Sequence, residues 1–221
     1  MPLLLQNVNF GDGEAIANIY ISAFFDDPFQ RTLFPDMPFE KQVAGVISRW
    51  PNNYGDISAC YKKVVDTDSG EIVGYSKWTF AFTVAGEVLK EPRDIPQDVE
   101  VKPPSTPDGL DDAFATEFTR KAVEIRGRIL GDRPQLLLKM LATLPSYQRQ
   151  GVAAIQLAWA TQLADEKGLV CWVEGSVVAV PLYRKFGFEV QDEIVSQCHG
   201  IDGIAPYIST CMMRVPKKGQ M

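Results

Sequence analysis

The sequence predicts a mixed α/β (α+β) protein with a mostly antiparallel central sheet flanked by helices. Three observations carry that expectation. Strand and helix patterns follow one another as a strand, two helices, two strands, a long helix, then strand, helix, strand, helix and two closing strands, an order that layers helices on a sheet. Two strand-like runs, 61–65 and 71–80, are joined by Asp66-Thr67-Asp68-Ser69-Gly70, the turn residues of a hairpin. The most apolar run, 136–144, leads through a short polar loop into a helix that opens on small residues.

In order, residues 2–10 read as a short first strand. Asp12 suits a helix cap, with Ala15, Ile16, Ile19, Tyr20 and Ala23 following at helical spacing. Asp26-Asp27-Pro28 stops that helix, because the residue before proline is disfavoured in the α conformation. Pro38 opens a second helix, with Val43, Ile47 and Trp50 as its buried face and Pro51-Asn52-Asn53 as its end. Gly74, inside the second hairpin strand, marks a bulge or a close backbone approach. Residues 83–112 carry Pro92, Pro96, Pro103, Pro104 and Pro107 among charged residues, which interrupts regular structure. They read as an insertion, mobile or lying on the surface, within one domain spanning 1–221; it is a passive loop or a wall of a pocket.

The pattern returns to helix over 113–130, with Phe114, Phe118, Ala122, Ile125 and Ile129 on one face, and Gly131 fits just past its end. Strand 136–144 stops at Pro145, which has no N–H for a ladder. Helix 152–167 presents Val152, Ile155, Trp159 and Leu163 to the core. Strand 169–174, helix 178–186, and strands 188–196 and 208–215, joined by 197–207, complete the chain.

Composition excludes several classes. A net charge of −6 and a pI near 4.9 lack the basic footprint of a nucleic-acid binder. Cys60, Cys171, Cys198 and Cys211 form no C-x-x-C pair, so free thiols in a reducing compartment are expected rather than disulfides or zinc. The start MPLLLQNVNF has no basic region, and no apolar run reaches membrane-spanning length. A cytoplasmic protein with no metal and no membrane partner, monomeric or homodimeric, is the expectation.

The functional signal begins at Gln148-Arg149-Gln150-Gly151-Val152-Ala153-Ala154. A loop entering a helix directs several unpaired N–H groups at one spot, and the helix dipole adds partial positive charge there. Glycine lets the backbone approach a ligand closely. An anion site for a pyrophosphate follows; the other reading is that small residues merely pack a helix against a strand. The dinucleotide fingerprint is absent, since Ala153 and Gln156 occupy its second and third glycine positions.

Gln148-x-x-Gly151-x-Ala153 after an apolar strand resembles the acetyl-CoA signature of the GNAT (GCN5-related) N-acetyltransferases, and its wider wording resembles a fungal small-molecule branch of that superfamily. A second block, Ser176-x-x-Ala179-x-x-Leu182-Tyr183-x-Lys185-x-Gly187-Phe188, resembles the family's later motif, with Ser176 where many members have asparagine. The resemblance implies a GNAT-like sheet in which the strands at 136–144 and 169–174 run parallel and splay apart to admit acetyl-CoA. It implies direct attack of an amine on the thioester in a ternary complex.

On that reading Tyr183 is the general acid, since a phenol is protonated at neutral pH. Backbone around Leu141 and Ala142, continuing through Thr143 and Leu144, would hold the carbonyl and pantetheine. Ser176 would bond the pantetheine or thiol, or simply cap the helix that follows it. Arg149 and Lys185 suit phosphate contacts or plain solvation. For the base, Glu174 and Asp27 are candidates; His199, the only histidine, reads as a loop residue. Cys171, inside an apolar strand, reads as an inert thiol. The acceptor is expected to be a small primary amine, with peptide acetylation or a silent acyl-CoA sensor as the competing functions.

Overall fold

The computed structural model describes residues 2–81, 94–103, 105–198 and 206–217. His199, residues 83–93 of the proline-rich insertion and 199–205 of the last loop lie outside the described residues.

Among the described residues the sheet has seven strands: β1 (Leu3–Asn7), β2 (Ala59–Asp66), β3 (Ile72–Ala81), β4 (Gln135–Thr143), β5 (Val170–Ser176), β6 (Glu189–Ser196) and β7 (Tyr207–Arg214). Their order is β1-β2-β3-β4-β5-β7-β6. Every neighbouring pair is antiparallel except β4–β5, which is parallel. Among the described residues the helices are α1 (Gly13–Phe24), α2 (Pro28–Leu33), α3 (Phe39–Ser48), α4 (Trp50–Gly55), α5 (Asp112–Leu130), α6 (Val152–Lys167) and α7 (Val180–Lys185).

Both faces of the sheet are covered. On one, α6 and α7 bury Trp78, Leu136, Leu138, Leu157, Phe188 and Met212. On the other, α1 and α4 cover Tyr61, Tyr75 and Ala142, and α5 covers Leu137, Trp172 and Ile194. Arg214 at the end of β7 clamps α6 through two bonds to Asp165, of 2.8 and 2.7 Å, and a third to the Phe186 carbonyl at 2.9 Å. That pair holds the Asp165 carboxyl below its ordinary value.

Several local expectations are corrected. Asp27-Pro28 does not only stop α1; it starts α2, with Asp27 capping the Phe29 N–H at 2.8 Å and Pro28 in the first turn. Asp12 precedes α1 but makes no cap bond there; its carboxylate takes the Asn9 N–H and the Lys63 ammonium. In α3, Ile47 is 38% exposed and Gln42 is buried instead. The reason is a polar interlock: Gln42 accepts from Gln30 at 2.8 Å and donates to the Met37 carbonyl at 3.0 Å. Pro51 does not end α3 but sits in the first turn of α4. On α6 the buried stripe is Val152, Gln156, Leu157, Ala160 and Ala164. Small residues let this helix lie close to the sheet, while Trp159 rotates to its flank beneath the Lys62 ammonium, 4.7 Å from the ring centroid.

Gly74 is a close approach: a Cβ there would stand 2.5 Å from Val152 Cγ1 and 2.8 Å from the Ala142 carbonyl oxygen. Residues 94–103 of the insertion lie along α4. Asp94 accepts the Phe10 N–H and the Tyr54 hydroxyl, and the Lys102 N–H donates to Asn52.

Candidate active site

The site opens where β4 and β5 part. They pair from Gln135–Val170 to Leu138–Val173 and no further, although β4 continues to Thr143 and β5 to Ser176. Two features separate them. Opposite β3, Lys77 faces Met140 and Trp78 faces Leu138, so Lys139 is an extra residue, a bulge that bends β4. Meanwhile β5 stays paired with β7 as far as Ser176–Ser209, so its end follows β7 rather than β4. Past Leu138 the backbone groups of β4 that face β5 therefore have no strand to pair with.

A cavity of about 310 Å³ fills the gap. Asp27, Glu174, Ser176, Tyr183 and Leu141 all line it, together with Lys139, Tyr207 and Phe118, which the sequence reading did not assign to the site. Tyr183 lies on α7, buried against β5, with its ring 5.7 Å from that of Phe188. Burial pushes its phenol above the ordinary value, so it remains a proton donor. Its place depends on Gly175: a Cβ there would stand 2.6 Å from Tyr183 Cε2. A glycine inside a strand was the one available signal for that approach.

Ser176 precedes a short 3₁₀ turn, Val177–Ala179, and its side chain makes no cap bond. It is hydrogen-bonded instead with the Tyr207 hydroxyl. That hydroxyl also donates to Asp27 at 3.3 Å, and burial together with Asp27 raises the Tyr207 phenol. A polar chain, Asp27–Tyr207–Ser176, thus crosses one wall of the cavity. Glu174 is engaged as well: one oxygen accepts the Trp172 indole N–H at 2.5 Å and an Arg126 N–H at 3.2 Å. Lys139 takes no partner among the described residues. The cavity walls desolvate its ammonium and lower it from the usual lysine value, against the opposing pull of Glu174. Cys171 is fully buried, and burial pushes its thiol up to about 12, an inert group.

The other end of the gap is the start of α6. Gly151 sits there at φ 92°, in the left-handed region open to glycine, one residue after Gln150 and two after Arg149 at φ 63°. The first helical bond is Ile155 N–H to the Gly151 carbonyl, 3.1 Å. The N–H groups of Val152, Ala153 and Ala154 precede it, and no protein atom lies within 4 Å of a Cβ built on Gly151. These unpaired donors, open space and the dipole fit a diphosphate group. Gln148, Arg149 and Gln150 are exposed around this spot. Tyr147 moors the loop to the hairpin by bonds to Asp66 and Glu71. Ala142 is buried and Thr143 pairs with Gly74; the Leu144 N–H is given to the Val73 carbonyl at 3.0 Å. Lys185 is exposed in the last turn of α7 and does not line the cavity.

Residues 115–190 match the profile of the acetyltransferase (GNAT) domain. Among curated proteins, none matches the chain. Solved structures with a similar fold include the C-terminal condensation domain of Ebony in complex with beta-alanyl-dopamine, at 15% identity, TM-score 0.66 and coverage of 97% of this chain and 99% of that one. The histone acetyltransferase HPA2 and related acetyltransferase from Corynebacterium glutamicum is similar at 18% identity and TM-score 0.62, with both chains fully covered. The PaiA N-acetyltransferase from Thermoplasma acidophilum, in complex with coenzyme A, is similar at 11% identity and TM-score 0.53, over 97% and 99% of the two chains. The domain match runs through both sequence motifs, and the described sheet splits at its parallel pair, so residues 115–190 resemble a GNAT acetyltransferase domain within a chain of similar fold.

Proposed function

We propose that the protein transfers the acetyl group of acetyl-CoA to the primary amine of a small molecule, by direct attack in a ternary complex. The observation that carries this reading is the single cavity at the split of β4 and β5. It gathers Tyr183, Ser176, Asp27 and Glu174 beside the strand pair whose β4 member leads to the open start of α6. Diphosphate at the Val152–Ala154 donors and an acyl thioester in the gap would place the reacting carbon beside Tyr183.

The amine attacks the thioester carbon, a C–N bond forms and the C–S bond breaks. Tyr183 hydrogen-bonds the departing sulfur and supplies its proton. Unpaired β4 backbone donors around Leu141 polarise the carbonyl. The attacking amine must be neutral. Lys139 disfavours a second positive charge beside it, and Asp27, through Tyr207, or Glu174, through water, receives the proton. Holding both reactants in one small cavity supplies much of the rate.

The fold alone does not choose the acceptor. Similar structures include one named as a histone acetyltransferase and one in complex with beta-alanyl-dopamine. The cavity, at about 310 Å³, lies at the small end of ligand pockets, roughly 300–1,000 Å³, and supports a small acceptor over a peptide strand. Thiol release from acetyl-CoA with a panel of small amines and lysine peptides tests this. Turnover on small amines with intersecting initial-rate lines is expected; parallel lines with an isolable acetyl-enzyme, or turnover on peptides alone, overturns it.

A further inference from the structure

We propose that the acceptor is an aromatic monoamine, an aryl ring joined through a short linker to one primary amine, an inference that rests on the transferase reading above. Two groups of aromatic side chains, each a wall, line the cavity. Tyr20 and Phe24, one turn apart on α1 with ring centroids 5.8 Å apart, form the first. The bond from the Tyr20 hydroxyl to Gln30, 2.9 Å, fixes that wall. Phe29 of α2 forms the second, 4.7 Å from Phe118 of α5 and 5.3 Å from Tyr207 of β7. All five rings are only half-buried and all five line the cavity, so apolar ring surface is left facing an open space. A planar aryl group fills such a space by edge or offset contacts.

The charges decide the rest. The Glu174 oxygen nearest Arg126 is already taken by that guanidinium and by Trp172, and both Asp27 oxygens accept bonds from Phe29 N–H and Tyr207. Lys139 adds a cation. Both oxygens of Asp27 and one of Glu174 are thus engaged within the protein, and a charged tail laid against the rings would lose its hydration without a partner there. A diamine or a dicarboxylic amino acid is therefore disfavoured, and one amine on an apolar ring is the complement.

The test compares 2-phenylethylamine with n-hexylamine, 1,4-diaminobutane, glutamate and a lysine peptide as acceptors. kcat/KM for 2-phenylethylamine at least tenfold above every other amine is expected. Phe118→Leu and, separately, Phe24→Leu should lower that preference by about two- to tenfold, the span an aromatic pair contributes, chiefly through KM. Two variants on different helices guard against one failing to fold. Equal or faster acetylation of n-hexylamine or the peptide, or an unchanged preference in both folded variants, overturns the inference while leaving acetyl transfer standing. Calorimetry of 2-phenylethylamine against the CoA-loaded protein separates the two readings. Binding without turnover of any amine would uphold the aromatic cavity and overturn the transferase.

Discussion

The two ends of the split between β4 and β5 are built in opposite ways. At the α6 end the ligand would meet main chain: the N–H groups of Val152, Ala153 and Ala154 behind Gly151, with exposed side chains around them. At the acceptor end it would meet side chains brought from α1, α2, α5, α7 and β7. The first end is set by a few consecutive residues and suits a group common to many reactions. The second is set by contacts between distant segments and can change its lining without disturbing the first. On the proposed function, the common acyl donor would be held by the backbone end, and the choice of acceptor would rest with the side-chain end.

The largest expected effect breaks the backbone end. Gly151→Asp places a carboxylate and a Cβ at a left-handed position facing the anion site. CoA affinity measured by calorimetry should fall by roughly a hundredfold or more with the fold retained on circular dichroism; unchanged affinity would remove the diphosphate from this loop.

Tyr183→Phe comes next, at the junction of the two ends. It removes one hydroxyl and little volume, and kcat should fall by roughly ten- to ten-thousand-fold with the KM for acetyl-CoA nearly constant. A rise in KM alone would reassign Tyr183 to positioning. Gly175→Ala probes the same residue from behind. The new methyl meets the Tyr183 ring, and overpacking of this kind costs about 1–3 kcal/mol. Melting should drop by roughly 2–4 °C per kcal/mol, and kcat should drop further than that of a variant equally destabilised elsewhere. An undisturbed kcat would show that the ring's exact seat is unimportant.

The smallest effect sharpens the side-chain end. Asp27→Lys should reduce kcat/KM for a cationic amine about three- to tenfold more than for a neutral arylamine, since a surface-accessible charge acts through a screened field. Using two substrates on one enzyme cancels general damage, including the loss of the α2 cap. Equal losses would place the acceptor's charge away from Asp27.

The contrast between the ends also explains what the sequence disclosed. Gln148 to Ala154 and Ser176 to Phe188 are contiguous, so their spacing is visible without a structure. The Tyr207–Asp27 bond spans 180 residues, and no local pattern announces it. Neither does the meeting of Phe29 with Phe118, nor that of Arg126 with Glu174. The hairpin, α5 and the strand–loop–helix unit were legible from turn residues and periodicity. Helix α2 was hidden because Asp27-Pro28 reads equally as a stop and as a start. The buried face of α3 was misjudged because a glutamine interlock replaced an apolar contact. Along β4 every residue from Leu136 to Leu138 is apolar and buried, so alternation, which would have exposed the bulge, has no contrast to work with.

That bulge has a consequence of phase. Before it, Leu136 and Leu138 look toward α6 while Leu137 looks toward α5. After it, Leu141 looks toward α6 while Met140 and Ala142 look toward α1. Even-numbered residues have become odd-numbered ones on the same face, because a strand has a period of two and Lys139 adds one. Removing that single residue would restore strict alternation along β4 with Leu141 still on the α6 face, take out the bend and let the strand run on beside β5. The seam would then close along its length. The opening between the strands is, in this sense, one residue's worth of chain that the sheet never absorbs.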